Sequence, residues 1–374
     1  MSIIAPIILL GILIFVHELG HFIFAKLMGV KVLKFSLGFG RKLIGGKIGE
    51  TEYQVAMLPI GGYVKMFGEE SGEEMHITGE GDEAPMPASE EDLKRAFSAQ
   101  PVWKRIVIVL SGPMFNILLT FVIFAGFLGV GLPVVVPTLD DIAPEVGEVI
   151  ANTPAAMAGI QADDVFTEVD GKPIDSWFGL VDKISKKPGE HVSLKVKRGD
   201  KTIALDIVPE KTEVKDSKGD TVTIGRIGVV KKVLKPPFVV EANGLMESIN
   251  GAAAATWKLS VSVLDILKGL VTGKVSFRTM GGPVTIVHES SKAVSLGISY
   301  YLFFMAFIST NLGVINLFPI PILDGGHIVF LAYEGIARKP ANEKLVETAQ
   351  KVGLVLLLML IVLVTYNDIF RLFS

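Results

Sequence analysis

The chain has 374 residues, half of them hydrophobic, with 20% charged and a mean hydropathy of +0.51. Its net charge of -3 carries no signature of nucleic-acid binding. Cysteine is absent, which removes disulfides and thiolate ligands, so any zinc must be held by histidine and carboxylate.

The first predicted element is a membrane span from Ile3 to Ala25, free of Lys and Arg and long enough to cross roughly 30 Å of hydrocarbon. Inside it lies His17-Glu18-Leu19-Gly20-His21, an H-E-x-x-H pattern expected by chance in about one chain in a hundred of this length. On a helix His17 and His21 stand at i and i+4, on one face, where both reach one zinc ion. Glu18 is placed to hold a water at the metal and act as general base. Three ionisable groups in a span are costly without an ion or a partner. A signal peptide is excluded, because the positive n-region is missing.

After the span come short strands with glycine breaks, at Val32 to Gly40, Thr51 to Pro59 and Gly61 to Met66. Glu69 to Asp92 is acidic and reads as a loop. A second span runs from about Ile106 to Val130, with Asn116 as its main polar residue. The following segment alternates apolar and polar residues around a short helix at Ala155 to Gly159, a hairpin turn at Asp170-Gly171, a helix at Trp177 to Ser185, and strands at His191 to Lys197 and Thr202 to Val208. Ala252 to Val271 is apolar but carries Lys258, Asp265 and Lys268, which favours a helix lying on the membrane over one crossing it. Gly281-Gly282-Pro283 is a break. A third span is expected from Ile298 to Ile322 and a fourth from Val352 to Thr365.

Lys and Arg cluster after the first span, before the second and between the third and fourth, which predicts those loops to be cytoplasmic and the middle segment to lie outside. Under that topology Asp324 shares the membrane depth of His17 and His21. Pro319 and Pro321 break the helix before it, so Asp324 is the best candidate for a third ligand; His327 competes with it. The division is 1–25 (first span), 26–102 (cytoplasmic loop with hairpin), 103–131 (second span), 132–230 (outer domain), 231–297 (outer linker with an interfacial helix), 298–326 (third span), 327–351 (cytoplasmic loop) and 352–374 (fourth span and C-terminus).

His17 to His21, the N-x-x-P-x-P-x-L-D-G-G stretch at Asn316 to Gly326, and S-G-P-x-F-N at Ser111 to Asn116 together resemble the site-2 protease family, most closely its bacterial RseP type. The resemblance implies a zinc endopeptidase of the bacterial inner membrane that cuts single-span proteins after another protease has trimmed them, such as an anti-sigma factor or a remnant signal peptide. It implies His17, His21 and Asp324 as ligands, Glu18 as base, and Asn316 as a contact to the substrate backbone. It also implies that the stretch containing Gly38, Phe39 and Gly40 belongs to a membrane-dipping hairpin whose edge pairs with extended substrate; a plain soluble hairpin is the alternative. The outer domain resembles a circularly permuted PDZ domain, which would take a peptide ligand or exclude untrimmed substrates. Only one such unit is evident, whereas RseP-type proteins carry two.

The expected fold is thus a polytopic α-helical membrane protein with about four spans, a cytoplasmic membrane-associated β-hairpin and an inserted extracytoplasmic PDZ-like α+β domain. The expected partners are single-span membrane substrates and lipid, with zinc as cofactor. A PDZ-bearing scaffold with a dead site and a metal transporter are the alternatives. The intact set of ligands and base disfavours the first, and the scarcity of polar residues in spans two and four the second.

Overall fold

The computed structural model describes residues 4–69, 89–136, 144–174, 176–215, 221–232, 238–272 and 281–373. The acidic stretch that follows Glu69 falls at 70–88, outside them. The chain forms two compact units, one from Met1–Leu132, Glu241–Ser260 and Gly282–Thr365, the other from Pro133–Val240, Val261–Gly281 and Tyr366–Ser374. In chain order the elements are α1 (Ile4–Leu27), β1 (Val32–Ile48), β2 (Thr51–Met66), α2 (Glu90–Lys94), α3 (Val102–Gly129), β3 (Val134–Val136), β4 (Val146–Val149), α4 (Pro154–Met157), β5 (Val165–Val169), β6 (Lys172–Pro173) and α5 (Trp177–Ser185). They continue with β7 (Val192–Arg198), β8 (Lys201–Ile207), β9 (Glu210–Lys215), β10 (Thr221–Arg226), β11 (Val229–Lys231), β12 (Phe238–Val240), α6 (Leu245–Val271), α7 (Pro283–Leu296), α8 (Ile298–Asn316), α9 (Asp324–Ala337) and α10 (Glu343–Phe373).

Among the described residues four helices are long and apolar enough to cross a membrane: α1, α3, α8 and α10 over Glu343–Ile369. Lipid is as apolar as leucine, so close packing rather than the hydrophobic effect must join them. Leu9 and Leu13 of α1 pack with Tyr301 and Met305 of α8, and the Tyr301 hydroxyl donates to the Ala5 carbonyl at 2.7 Å. Where α1 crosses α3, Gly20 lets the backbones meet, since a Cβ there would lie 2.5 Å from the Ser111 oxygen.

The structure corrects several expected bounds. The third span ends at Asn316 rather than continuing through Ile322, because residues 317–323 are non-helical around Pro319 and Pro321. The expected loop at 327–351 contains most of α9, which closes at Arg338 in the left-handed region (φ 54°), and the fourth helix starts at Glu343 instead of Val352. No helix is expected at 283–296, yet α7 forms there, with Pro283 at a first-turn position that needs no N–H donor. α6 begins at Leu245, and its buried Ala252, Ala255, Leu259 and Val263 fall at helical spacing along one stripe.

The hairpin also differs from a row of short strands. β1 runs on through Arg41 to Ile48, and β1 and β2 bend so that residues 34–37 pair with both 52–55 and 62–65, while 44–48 pair with 51–55. A compact four-segment sheet results. Its base is tied down by charge: Glu50 accepts from Lys26 at 2.6 Å and from two Arg95 nitrogens at 2.7 Å, while Lys31 donates to Asp92 at 2.6 Å. Its apolar side meets α1 through Phe15, Phe22, Phe35 and Tyr53, with ring centroids 5.1–6.2 Å apart.

In the other unit the sheet order is β6-β5-β7-β8, with β11 paired to β4. The Asp170-Gly171 turn joins β5 to β6 with both residues at positive φ (52° and 73°), as a type I′ hairpin requires. Alternation along β7 buries Val192, Leu194 and Val196 against Phe166, Leu180 and Ile184. Asp164, wholly buried, accepts from Arg198 through both oxygens at 2.7 Å and from the Gln161 N–H at 2.8 Å.

Candidate metal centre

Helix α1 presents His17 and His21 one turn apart, and the 317–323 turn delivers Asp324 to them as the first residue of α9. His17 Nε2 lies 3.2 Å from Asp324 Oδ2 and 3.2 Å from His21 Nε2, which is 3.7 Å from Asp324 Oδ1. A tetrahedral ion with ligands about 2.0–2.2 Å away has edges of about 3.3–3.6 Å between them. The side chains are 11–20% exposed, and Asp324 Oδ2 has no hydrogen-bond partner despite its burial. Such an orphaned oxygen beside two imidazoles fits a cation, and the N₂O donor set suits zinc while leaving a fourth position for water or substrate. Among the described residues these three form the one such donor group; His327, a turn further along α9, is not in it.

Helix α3 completes the site from behind. A Cβ at Gly112 would overlap His21 Nε2 and lie 2.9 Å from His17 Nε2, so only glycine leaves room for the rings. His21 Nδ1 is 2.9 Å from the Ile108 carbonyl, which also accepts from Ser111 Oγ at 2.6 Å. Asn116, 1% exposed, reaches His17. In the sequence Ser111 to Asn116 carry the resemblance and Asn116 is the main polar residue of its span, but nothing there brings these residues to the site. A small-and-polar stripe at 112, 116 and 120 within an apolar span was the available signal.

Glu18 is half-buried beside His17 and His21, and Gly62 of β2 passes over it, with Glu18 Cγ 3.2 Å from where a Cβ would be. Gly38 and Gly40 take positive φ (93° and 87°) at the bend of β1, and Phe39 between them stacks on Tyr63 at 5.9 Å. Asn316 is the last residue of α8, half-buried at the entrance to the turn that ends in Asp324. Glu69, beyond β2, has its carboxyl pushed up to about 7, mainly by burial, with a Met66 backbone hydrogen bond opposing and the carboxylates of Glu18 and Asp324 adding to the rise.

The profile of the family described as Peptidase family M50 matches residues 5–360. The chain belongs to peptidase family M50. Among its M50 relatives, a "Putative zinc metalloprotease" of Rhizobium meliloti is 34% identical over 375 residues, covering 98% of this chain and 96% of that one. A second from Brucella suis is 35% identical over 372 residues, covering 99% and 95%. The "Regulator of sigma-E protease RseP" of Salmonella typhimurium is 30% identical, covering 98% of both chains. That alignment extends over 463 positions against the 374 residues here, so the relative carries extra length on the scale of a small domain. A solved PDZ domain of an SdrC-like protein from Listeria monocytogenes is 33% identical, covering 25% of this chain and 94% of that domain, with a TM-score of 0.19. This M50 chain is a zinc metalloendopeptidase of the site-2 type, and its described helices include ones long and apolar enough to cross a membrane.

Proposed function

We propose that this peptidase hydrolyses a peptide bond within the membrane-spanning segment of single-span proteins already trimmed by another protease, an anti-sigma factor or a remnant signal peptide being the expected kinds. The carrying observation is that His17, Glu18 and His21 lie on α1, a helix of spanning length, with Asp324 brought beside them at the start of α9, beneath a strand with a free edge. Residues 62–65 of β2 pair on one side with 34–37, and among the described residues no strand pairs with the other side. A substrate segment added there would be held extended by main-chain hydrogen bonds directly over Glu18. Gly38, Phe39 and Gly40 border that strand, and Asn316 would hold the substrate backbone from the opposite side.

His17, His21 and Asp324 would hold the zinc, which when bound polarises the scissile carbonyl and lowers the pKa of the attacking water. Glu18 takes the water proton as general base and hands it to the leaving amine. The positive-inside pattern puts this site near the cytoplasmic face of a bacterial inner membrane and the PDZ domain outside, where it recruits, excludes or senses substrate. His17, Glu18, His21 and Asp324 are the residues on which this reading stands.

The test is cleavage of a model single-span substrate by purified protein in detergent, wild type beside Glu18→Gln, with zinc quantified in both. Cleavage by wild type alone, at near one zinc per chain in each, is the expected result. Full activity in the Glu18→Gln protein would refute the mechanism.

A further inference from the structure

His17 and His21 both aim Nε2 at Asp324, so the ligand atoms are the two Nε2 atoms. An imidazole that offers Nε2 as a lone pair keeps its proton on Nδ1, and that N–H needs an acceptor. His21 has one, the Ile108 carbonyl at 2.9 Å. His17 Nδ1 instead faces the Asn116 Nδ2 amide nitrogen at 3.3 Å. In the ligand tautomer these are two donors facing each other. The other end of the same amide, Oδ1, is buried with no hydrogen-bond partner. Amide oxygen and nitrogen have nearly the same shape, and a half-turn of the side-chain amide exchanges them without moving the backbone. The turned amide makes a hydrogen bond to His17 where the unturned one makes none.

We propose that Asn116 is a positioning residue for the metal: with zinc in place its Oδ1 accepts the His17 Nδ1–H, fixing the tautomer and the ring plane of the first ligand. This rests on the zinc reading above and extends it to a residue on a third helix. The Asn116 backbone is itself fixed by α8. Ser309 Oγ donates to its carbonyl at 2.7 Å, and one turn on, Thr120 Oγ1 donates to the Ala306 carbonyl at 2.9 Å and accepts from Thr310 Oγ1 at 2.9 Å. Gly313 allows the approach, since a Cβ there would lie 2.8 Å from the Pro113 oxygen. The chain that ends in Asp324 therefore also holds the residue that orients His17, which couples two ligands far apart in sequence.

The experiment measures zinc affinity of the full-length protein in detergent, by competition with a chromogenic chelator, together with thermal unfolding. Asn116→Leu keeps the shape without an acceptor and should weaken zinc about 10- to 100-fold. Asn116→Asp keeps an acceptor in either orientation and should hold zinc at least as tightly as wild type. Phe124→Leu removes the stacking of α3 on Phe303 of α8, two turns from Asn116, and should lower the unfolding temperature without changing zinc affinity. Wild-type affinity in Asn116→Leu would overturn the proposal, as would equal losses in all three variants. If Asn116→Leu does not fold, Asn116→Asp decides alone, because loss of zinc there contradicts the acceptor role. A wild type that binds no zinc would bring down the metallopeptidase reading itself, an outcome distinct from the others.

Discussion

Gly112 shows how one missing side chain can matter as much as a ligand. Its hydrogen faces the space that the two imidazoles fill, and a methyl group would overlap His21 Nε2. Gly112→Ala should therefore lose zinc, read as metal per folded chain, whereas Gly126→Ala on the same helix, with no atom within 4 Å of its added Cβ, should keep it. Asp324 depends on a similar close approach. In the Gly325-Gly326 pair that follows, a Cβ on Gly325 would strike the Leu317 and Phe318 carbonyls, and one on Gly326 would lie 2.5 Å from Pro321 Cα. The carboxylate is thus placed by a turn folded tightly onto the start of α9. His17, Glu18 and His21 were legible in the sequence as a group because H-E-x-x-H is a spacing rule of a single helix. Gly112 and Asn116 were not, since what they touch belongs to a different helix.

The hairpin is the element whose sequence signal and structure diverged most. Glycines at 38, 40, 61 and 62 read as strand breaks, but the chain uses them to bend two long strands so that one segment pairs on both sides. Pairing register between distant segments carries no local signature, and a bent strand resembles two short ones. Glu50 anchors this sheet at its turn, and the Arg95 guanidinium, followed by Lys26, holds its carboxyl down from 4.5 to about 2. A folded-state value below the unfolded one means that the ion pairs stabilise above about pH 4.5 and that this contribution is lost as pH falls through about 2. Glu50→Gln should lower the unfolding temperature at pH 7, with the gap to wild type narrowing below pH 4.5. A gap that is constant with pH would show that the pairs contribute nothing through charge.

At the scale of the molecule, the two units differ in what stabilises them. The second unit has a conventional apolar core around Phe166, Leu180 and Leu194, closed by the buried Asp164 paired with the half-buried Arg198. A fragment covering residues 144–232 should fold alone and unfold cooperatively. Asp164→Asn should cost it about 2 kcal/mol in denaturant titration, as expected for losing charged hydrogen bonds. The same substitution should leave zinc affinity of the full chain unchanged, and chelation should shift unfolding of the full chain but not of the fragment. By itself the sequence determined the four apolar helices, the helix that carries His17, Glu18 and His21, the Asp170-Gly171 hairpin turn and the alternation of the strands in the second unit. Each of these follows from composition or periodicity within a single segment, where local physics suffices. Only the tertiary structure decided that α8 stops at Asn316, that α9 starts on Asp324 beside His17 and His21, and that Gly112 and Asn116 stand behind the histidines. Those are outcomes of close packing between helices far apart in the chain, where fit is set by the neighbour's backbone and no single segment records it.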